Sequence, residues 1–590
     1  MDLKEGVDAG SEAELRSRGM LLTKVANHGV CVVWHSGRAY AVDDRCPHLG
    51  FPLHRGSVED GLLTCHWHHA RFDLCSGGTL DPFADDVRAY PVEIRGGRVI
   101  VLTPPAGDPT PGLLARLDEG LEQGLSLVTA KAVLGLLEAG ASPVEALRRG
   151  VAFGTTHRRE GWGAGLTVLV AMANLLPHLD PADQPLALVQ GLAFLSRDTR
   201  GHVDRYPLAP LATTAVDAGR LAGWYRRFID SRTDEAAERA LATAIALGPE
   251  QRGATERFMF AAATDHVFLD GGHSVDFTNK AFEALHHLGW EAAPAVLPML
   301  VAGTASASRS EEQGSWRHPH DLAGLARSAA RHLSEHDDVL LKGAGVSDDE
   351  VVALAWRLLG IGRSAAGGPG PAADPDPADA VDGLLESLAA GFTAEQAGRA
   401  VALAAGLRIT RFHVQNDHGD WDVVHHGFTY ANAVHQALAR EPSIELLRGA
   451  VHGVLKIYLD RFLNVPAARL TPVANADLSD LDGCWDQQGQ VDRAGGIVYG
   501  WLLEHGDPAP VIAALGHALI AEDAEFHWFQ TIEAAARQAR AWPDGSEAQA
   551  LLLAGAARFL AAHTPTRREL PQLVRIATRL RRGEDLFEEL

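Results

Sequence analysis

The stretch Cys46-Pro47-His48, followed after sixteen residues by Cys65-His66-Trp67-His68, limits what this chain can be more than any other. It sets one Cys and one His on each of two short loops. Two thiolates suit one ferric ion and two neutral imidazoles suit its partner, so Cys46, His48, Cys65 and His68 can hold a two-iron, two-sulfide cluster of mixed ligation. The other reading is a zinc ion bound by two Cys and two His. Zinc-finger pairs are usually Cys-Cys or His-His, and these loops depart from that spacing.

Around the two loops the chain reads as short β elements. Leu21 to Val25, Val30 to Trp34, Ala39 to Val42 and Leu62 to Cys65 are apolar runs broken by Gly, Asn and Asp. Val92 to Val101 reads as a hairpin, because Gly96-Gly97 supplies the positive φ angles of a two-residue turn. With Leu49-Gly50, Trp67, Ala70-Arg71-Phe72-Asp73-Leu74 and Ser76-Gly77-Gly78 added to the four ligands, residues 20 to 103 resemble a Rieske [2Fe-2S] domain. The resemblance implies a small all-β fold, a [2Fe-2S] cluster and electron transfer. Rieske proteins of the respiratory bc complexes carry an extra, disulfide-bonded Cys in each loop. Phe51 and Trp67 occupy those places here, so the domain resembles the ferredoxin or oxygenase type, with His69 where the family usually has Gly.

At 590 residues the chain has room for several domains. Its formal charge of −23 argues against a nucleic-acid partner. Residues 1 to 19 read as a polar tail, and the longest apolar stretch, Leu166 to Leu176, is too short to cross a bilayer. The expectation is a cytoplasmic protein without a membrane partner. Beyond the two candidate ligands, Cys31, Cys75 and Cys484 form an odd set with no disulfide framework.

A Pro/Gly linker over 104–112 separates the β region from one rich in Ala, Leu, Glu and Arg at helical spacing. The fold class expected is therefore multidomain, an N-terminal all-β domain followed by a large all-α domain. A Pro/Gly-rich loop over 367–380 divides the latter into 113–366 and 381–590. Leu137 to Arg148 and Leu388 to Arg399 share an Ala-Gly turn, a Ser/Thr cap, an answering Glu/Gln and a closing Arg, which predicts an internally duplicated helical unit.

Histidine is concentrated in the helical region, which holds 21 of the 28. A ferritin-like di-iron bundle needs two Glu-x-x-His copies, and only Glu283-Ala284-Leu285-His286 is present. His413-x4-His418 has the spacing of a Rieske oxygenase iron site but helical flanks and no correctly placed acid. Four segments do recur in order: Phe153-Gly154-Thr155-Thr156-His157, Gly271-Gly272-His273, His426-Gly427-Phe428-Thr429 and Glu522-Asp523-Ala524-Glu525-Phe526-His527. In this order the region resembles questin-oxidase-like non-haem iron oxygenases. The resemblance implies a mononuclear iron held by His157, His273, His426 and His527. Where that family can add a carbamylated lysine this chain has Gln530 and Thr531, with Glu525 and Lys280 the nearest substitutes. His452 and Lys456, four apart on one helix face, could line one pocket, and Trp162, Trp316, Trp421 and Trp528 could wall a substrate site.

The expectation that follows is an oxygenase. The cluster passes electrons to the second iron, where O2 is activated on a small aromatic organic substrate, with His273, His426 and His527 as candidate catalytic residues. No nicotinamide or flavin fingerprint is visible, so a separate NAD(P)H-dependent reductase or a ferredoxin must feed the cluster. A homo-oligomer is compatible with this scheme. The rival expectation is a Rieske ferredoxin-type electron carrier fused to a helical-repeat module that binds a partner and holds no second metal.

Overall fold

The computed structural model describes residues 6–26, 28–103, 108–212, 216–360, 376–584 and 586. Ten short strands come first: β1 (Val7–Ser11), β2 (Met20–Val25), β3 (His28–His35), β4 (Arg38–Asp43), β5 (Ser57–Glu59), β6 (Leu62–Thr64), β7 (Arg71–Asp73), β8 (Ala89–Tyr90), β9 (Val92–Arg95) and β10 (Arg98–Val101). They form three antiparallel sheets, ordered β2-β3-β4-β8, β1-β10-β9 and β5-β6-β7.

Strand β3 shows why this stretch of sequence becomes sheet. Val30 and Val32 enter one core with Leu21, Ala41, Tyr90 and Val99, while Cys31 and Val33 enter another with Val42, Cys46, Leu63, Cys65 and Phe72. Alternate strand residues face opposite sides, so a strand buried on both faces needs an unbroken apolar run. Each fully buried aliphatic side chain contributes about 1.5–3 kcal/mol. At the β9–β10 turn, Gly96 and Gly97 take φ values of 56° and 77°.

Three boundaries differ from expectation. Residues 7–18 are not a tail: β1 pairs with the free edge of β10, and the helix Glu12–Arg18 buries Leu15 completely. One buried leucine among paired charges, Glu12 with Arg16 and Glu14 with Arg18, gives too weak an apolar period to be seen in the sequence. Thr110–Gly112, expected in the linker, begin the helix Thr110–Gln123, since proline fits the first turn of a helix. Pro377–Ala380, expected in a loop, likewise start the helix Pro377–Ala389, which Asp376 caps by accepting from Ala378 N at 2.9 Å. Of the two expected connections, 104–112 and 367–380, residues 104–107 and 367–375 lie outside the described residues.

Beyond the strands the described structure is helical. The chain separates into two compact units, but not at 367–380. The residues up to Arg149 join those from Glu569 onward, and Gly150–Arg568 form the second unit. In the first unit the helices Thr110–Gln123 and Ser126–Glu138 pair as a hairpin, and the helix Glu569–Arg581 packs on the latter, tied by Arg581 to Glu138. In the second, the helix Ala394–Thr410 is buried almost throughout, among the helices Asp348–Leu358, Asp420–Arg440, Ile444–Leu459 and Glu547–His563. No helix among the described residues is long and apolar enough to cross a membrane.

Candidate iron-sulfur and histidine sites

The two cluster loops are tight turns at the end of the small sheet. Cys46 N donates to Phe51 O at 2.8 Å and Gly50 N to Cys46 O at 2.7 Å, while Cys65 N donates to Ala70 O at 2.8 Å and His69 N to Cys65 O at 3.0 Å. Both sulfurs are buried, and the rings of His48 and His68 meet edge to face at 4.8 Å. The two thiols share a proton, which raises Cys46 and lowers Cys65; backbone N–H groups of Trp67 and His68 favour the Cys65 thiolate. Burial and the neighbouring His68 push His48 down to about 4, and its buried Nδ1 has no hydrogen-bond partner. Two adjacent sulfurs and a neutral imidazole with an unsatisfied ring nitrogen are a donor set that fits a mixed-ligand cluster. His69 takes the left-handed conformation (φ 62°) that glycine adopts without strain. His69→Gly should therefore raise stability by about 1 kcal/mol, read as a higher urea midpoint at unchanged slope; an unchanged midpoint would refute the strain.

In the second unit three helices bring imidazoles together. His273 is the first residue of the helix His273–Leu288, His426 lies in the second turn of Asp420–Arg440, and His527 is second in Phe526–Ala539. One ring nitrogen from each can be chosen so that all three lie within 4.8 Å of one another. Burial pushes His273 and His426 down to about 4 and, together with the neighbouring His426 and His273, His527 to about 3. All three are therefore neutral and able to act as ligands at physiological pH. His426 Nδ1 donates to the Asp422 carbonyl, which leaves its Nε2 lone pair for a metal. His527 Nε2 is buried without a hydrogen-bond partner.

The backbone entering this site is strained. Phe268 (φ 45°, ψ 53°) and Asp270 (φ 53°, ψ 45°) are left-handed, as are Gly271 and Gly272 immediately before His273. Such a conformation is rare for a bulky residue and tends to mark functional sites. Ser310 Oγ holds Phe268 O at 2.9 Å, and Asp270 N donates to Ser308 O at 2.8 Å. A Cβ at Gly272 would stand only 3.0 Å from Phe268 Cζ and 3.1 Å from Tyr430 Cδ2. A cavity of about 370 Å³ opens beside His426, walled by Phe268, Trp316, Val423, Leu459 and Phe462, with Lys456 and Asp460 as its charged pair. Lys456 donates to Asp460 Oδ2 at 2.6 Å and to Val423 O at 3.2 Å.

Residues 6–91 match the Rieske [2Fe-2S] domain family. The ferredoxin component of the alkene monooxygenase system of Xanthobacter autotrophicus is 34% identical over 102 residues, 17% of this chain and 84% of that protein. The 2,4-dinitrotoluene dioxygenase ferredoxin component of Burkholderia sp. (strain RASC) is 30% identical over 96 residues, 16% of this chain and 92% of its own. The chain belongs to the Rieske family. Its Rieske domain is also 37% identical over 87 residues to the vanillate O-demethylase oxygenase subunit of a Pseudomonas species, a match to 14% of this chain and 26% of that subunit. The first two of these relatives align over most of their own length and are ferredoxin components of oxygenase systems.

Of the histidines expected beside the Rieske domain's four ligands, His157 does not reach the cluster of imidazoles. Its helix ends at Thr156, and its Nδ1 pairs with Asp204 Oδ1 at 2.7 Å on a partly exposed surface. His425 takes its place in the group. It is fully buried, its Nδ1 donates to Trp421 O at 3.0 Å, and its Nε2 has no partner. With Asp422 and His527 it forms a second grouping within 4.8 Å. The Asp422-x-x-His425 spacing was the available signal, since residues three apart share one face of a helix.

Lys280 is not a substitute ligand. It is buried, and Glu283 Oε2 (2.8 Å) and Glu533 Oε2 (2.6 Å) hold its ammonium between them. Burial pulls its pKa down, and the two carboxylates more than reverse this, so it stays a cation and carries no carbamate. Glu525 is exposed at the start of its helix, and neither it nor His452 belongs to a grouping of metal-binding side chains among the described residues. His452 is buried elsewhere, its pKa pushed down to about 3 by burial and the nearby Arg448. Gln530 donates to Asp276, whose carboxyl burial pushes up to about 7. Of the four tryptophans, Trp316 lines the cavity; Trp421 and Trp528 pack near His563, and Trp162 donates to Thr167 at 2.8 Å.

Proposed function

We propose that this chain is a Rieske-coupled non-haem iron oxygenase in which the [2Fe-2S] cluster supplies electrons to a mononuclear iron held by His273, His426 and His527, with His425 beside them. The observation that carries this reading is the convergence of three neutral imidazoles, one with an unsatisfied buried nitrogen and one, His273, directly after the strained turn at Phe268 and Asp270. Iron bound there would supply O2 activation. The chain's own residues do the rest. Phe268, Trp316 and Phe462 offer apolar faces to a small aromatic substrate next to His426, and the Lys456–Asp460 ion pair sets charge beside a polar substituent. Electrons come from a separate NAD(P)H-dependent reductase or ferredoxin, and the protein works in the cytoplasm.

Iron quantification with X-ray absorption on the chain loaded anaerobically with ferrous ion tests the reading. Three irons per chain are expected, the third in a nitrogen-rich environment without sulfur. Two irons and no further uptake would instead support the electron carrier fused to a partner-binding helical module.

A further inference from the structure

The helix Ser126–Glu138 is apolar over nearly its whole surface, yet Lys131 is buried in its middle. The Lys131 ammonium donates to the carbonyl oxygens of Pro47 and His48, the latter at 3.1 Å, and stands 3.4 Å from Asp85 Oδ2. Asp85 in turn accepts from Arg116 Nε at 3.1 Å, and Arg116 also donates to Pro82 O and Ala84 O. Two cations therefore surround one carboxylate against the first cluster loop. On the same side, Phe83 packs on the His48 ring at 5.0 Å and helps to keep water from it. An apolar residue at 131 would suit this helix better, because buried lysines are rare and costly to desolvate.

We propose that Lys131 is a redox-tuning residue: its fixed positive charge, held against the carbonyls of the loop that bears Cys46 and His48, raises the potential of the [2Fe-2S] cluster. The cluster becomes more negative by one charge when it accepts an electron. A cation in a poorly solvated place beside its ligands stabilises that reduced state more than the oxidised one, and the environment of a cluster sets its potential in this way. No bond is made or broken; burial lowers the pKa of Lys131, and the ion pair with Asp85 opposes that shift. The inference rests on the Rieske domain alone and not on the second iron. A purely structural Lys131, one that only pins the loop, would leave the potential where it is once the loop is formed.

Spectroelectrochemical titration of the full chain carrying its cluster separates the two roles. Lys131→Met should lower the ratio of reduced to oxidised cluster at a fixed poise by about tenfold, which is 59 mV for a one-electron couple. Lys131→Arg, which retains the charge, should stay near the parent. Asp85→Asn, which removes the opposing charge, should move the potential upward. Should the methionine variant fail to take up a cluster, Lys131→Arg and Asp85→Asn still decide the matter by charge alone. A parental potential in Lys131→Met, a fall of equal size in Lys131→Arg, or no rise in Asp85→Asn would overturn the proposal.

Discussion

His527→Ala is expected to leave the two cluster irons and the Rieske absorption spectrum intact while the third iron is lost and substrate-dependent oxygen uptake falls by more than about 100-fold. The imidazole removed has a buried nitrogen without a protein partner, so the variant forfeits no hydrogen bond from that atom. What it forfeits is one of three lone pairs that converge within 4.8 Å. His273→Ala and His426→Ala should behave alike, because neither neighbour can replace the other across the group. His157→Ala is the control. That side chain pairs with Asp204 away from the group, and its loss should leave both the iron content and the uptake rate unchanged. Retention of the third iron in all three group variants would exclude the centre proposed.

Lys280→Met should destabilise the chain by about 3–5 kcal/mol without reducing its iron content. Lys280 is 1% exposed and Glu283 4%, so neither can turn to water when the partner is removed. Glu283 and Glu533 would then face one another with Asn174, Asn279, Arg537 and the more distant Arg440 to balance them. Replacing both carboxylates as well, in Lys280→Met/Glu283→Gln/Glu533→Gln, should recover much of the loss, because a buried neutral set lacks the uncompensated charge. Urea titration monitored by far-ultraviolet circular dichroism measures both variants. A change below about 1 kcal/mol in the single variant would mean that Arg537 and Asn174 already satisfy the carboxylates.

Where local chemistry alone determines structure, the sequence was informative. The two Cys/His loops, the strand β3 and the Gly96-Gly97 hairpin each combine a distinctive residue pattern with a short-range geometric need, and each appears near its expected place. Elements that owe their existence to partners were hidden. β1 forms because β10 offers it an edge, and the helix Glu12–Arg18 is held by one leucine. The histidines divide on the same line. His273 and His527 sit at helix beginnings and His426 in the second turn of its helix, whereas the segment ending in His157 finishes a helix and turns away. His425 was masked by its neighbour, and Lys280 by a helix whose alternating polar residues suggest a solvated face although that face is buried.

The helix Glu569–Arg581 packs against Ser126–Glu138, inside the unit that carries the Rieske domain. During synthesis the whole second unit therefore emerges between two helices that must meet, a delay of roughly tens of seconds at ordinary elongation rates. Until then one face of the hairpin bearing Lys131 lacks its cover. Assembly of the first unit is thus coupled in time to completion of the other, and a chain halted within the helical region would display the cluster ligands on an unfinished support.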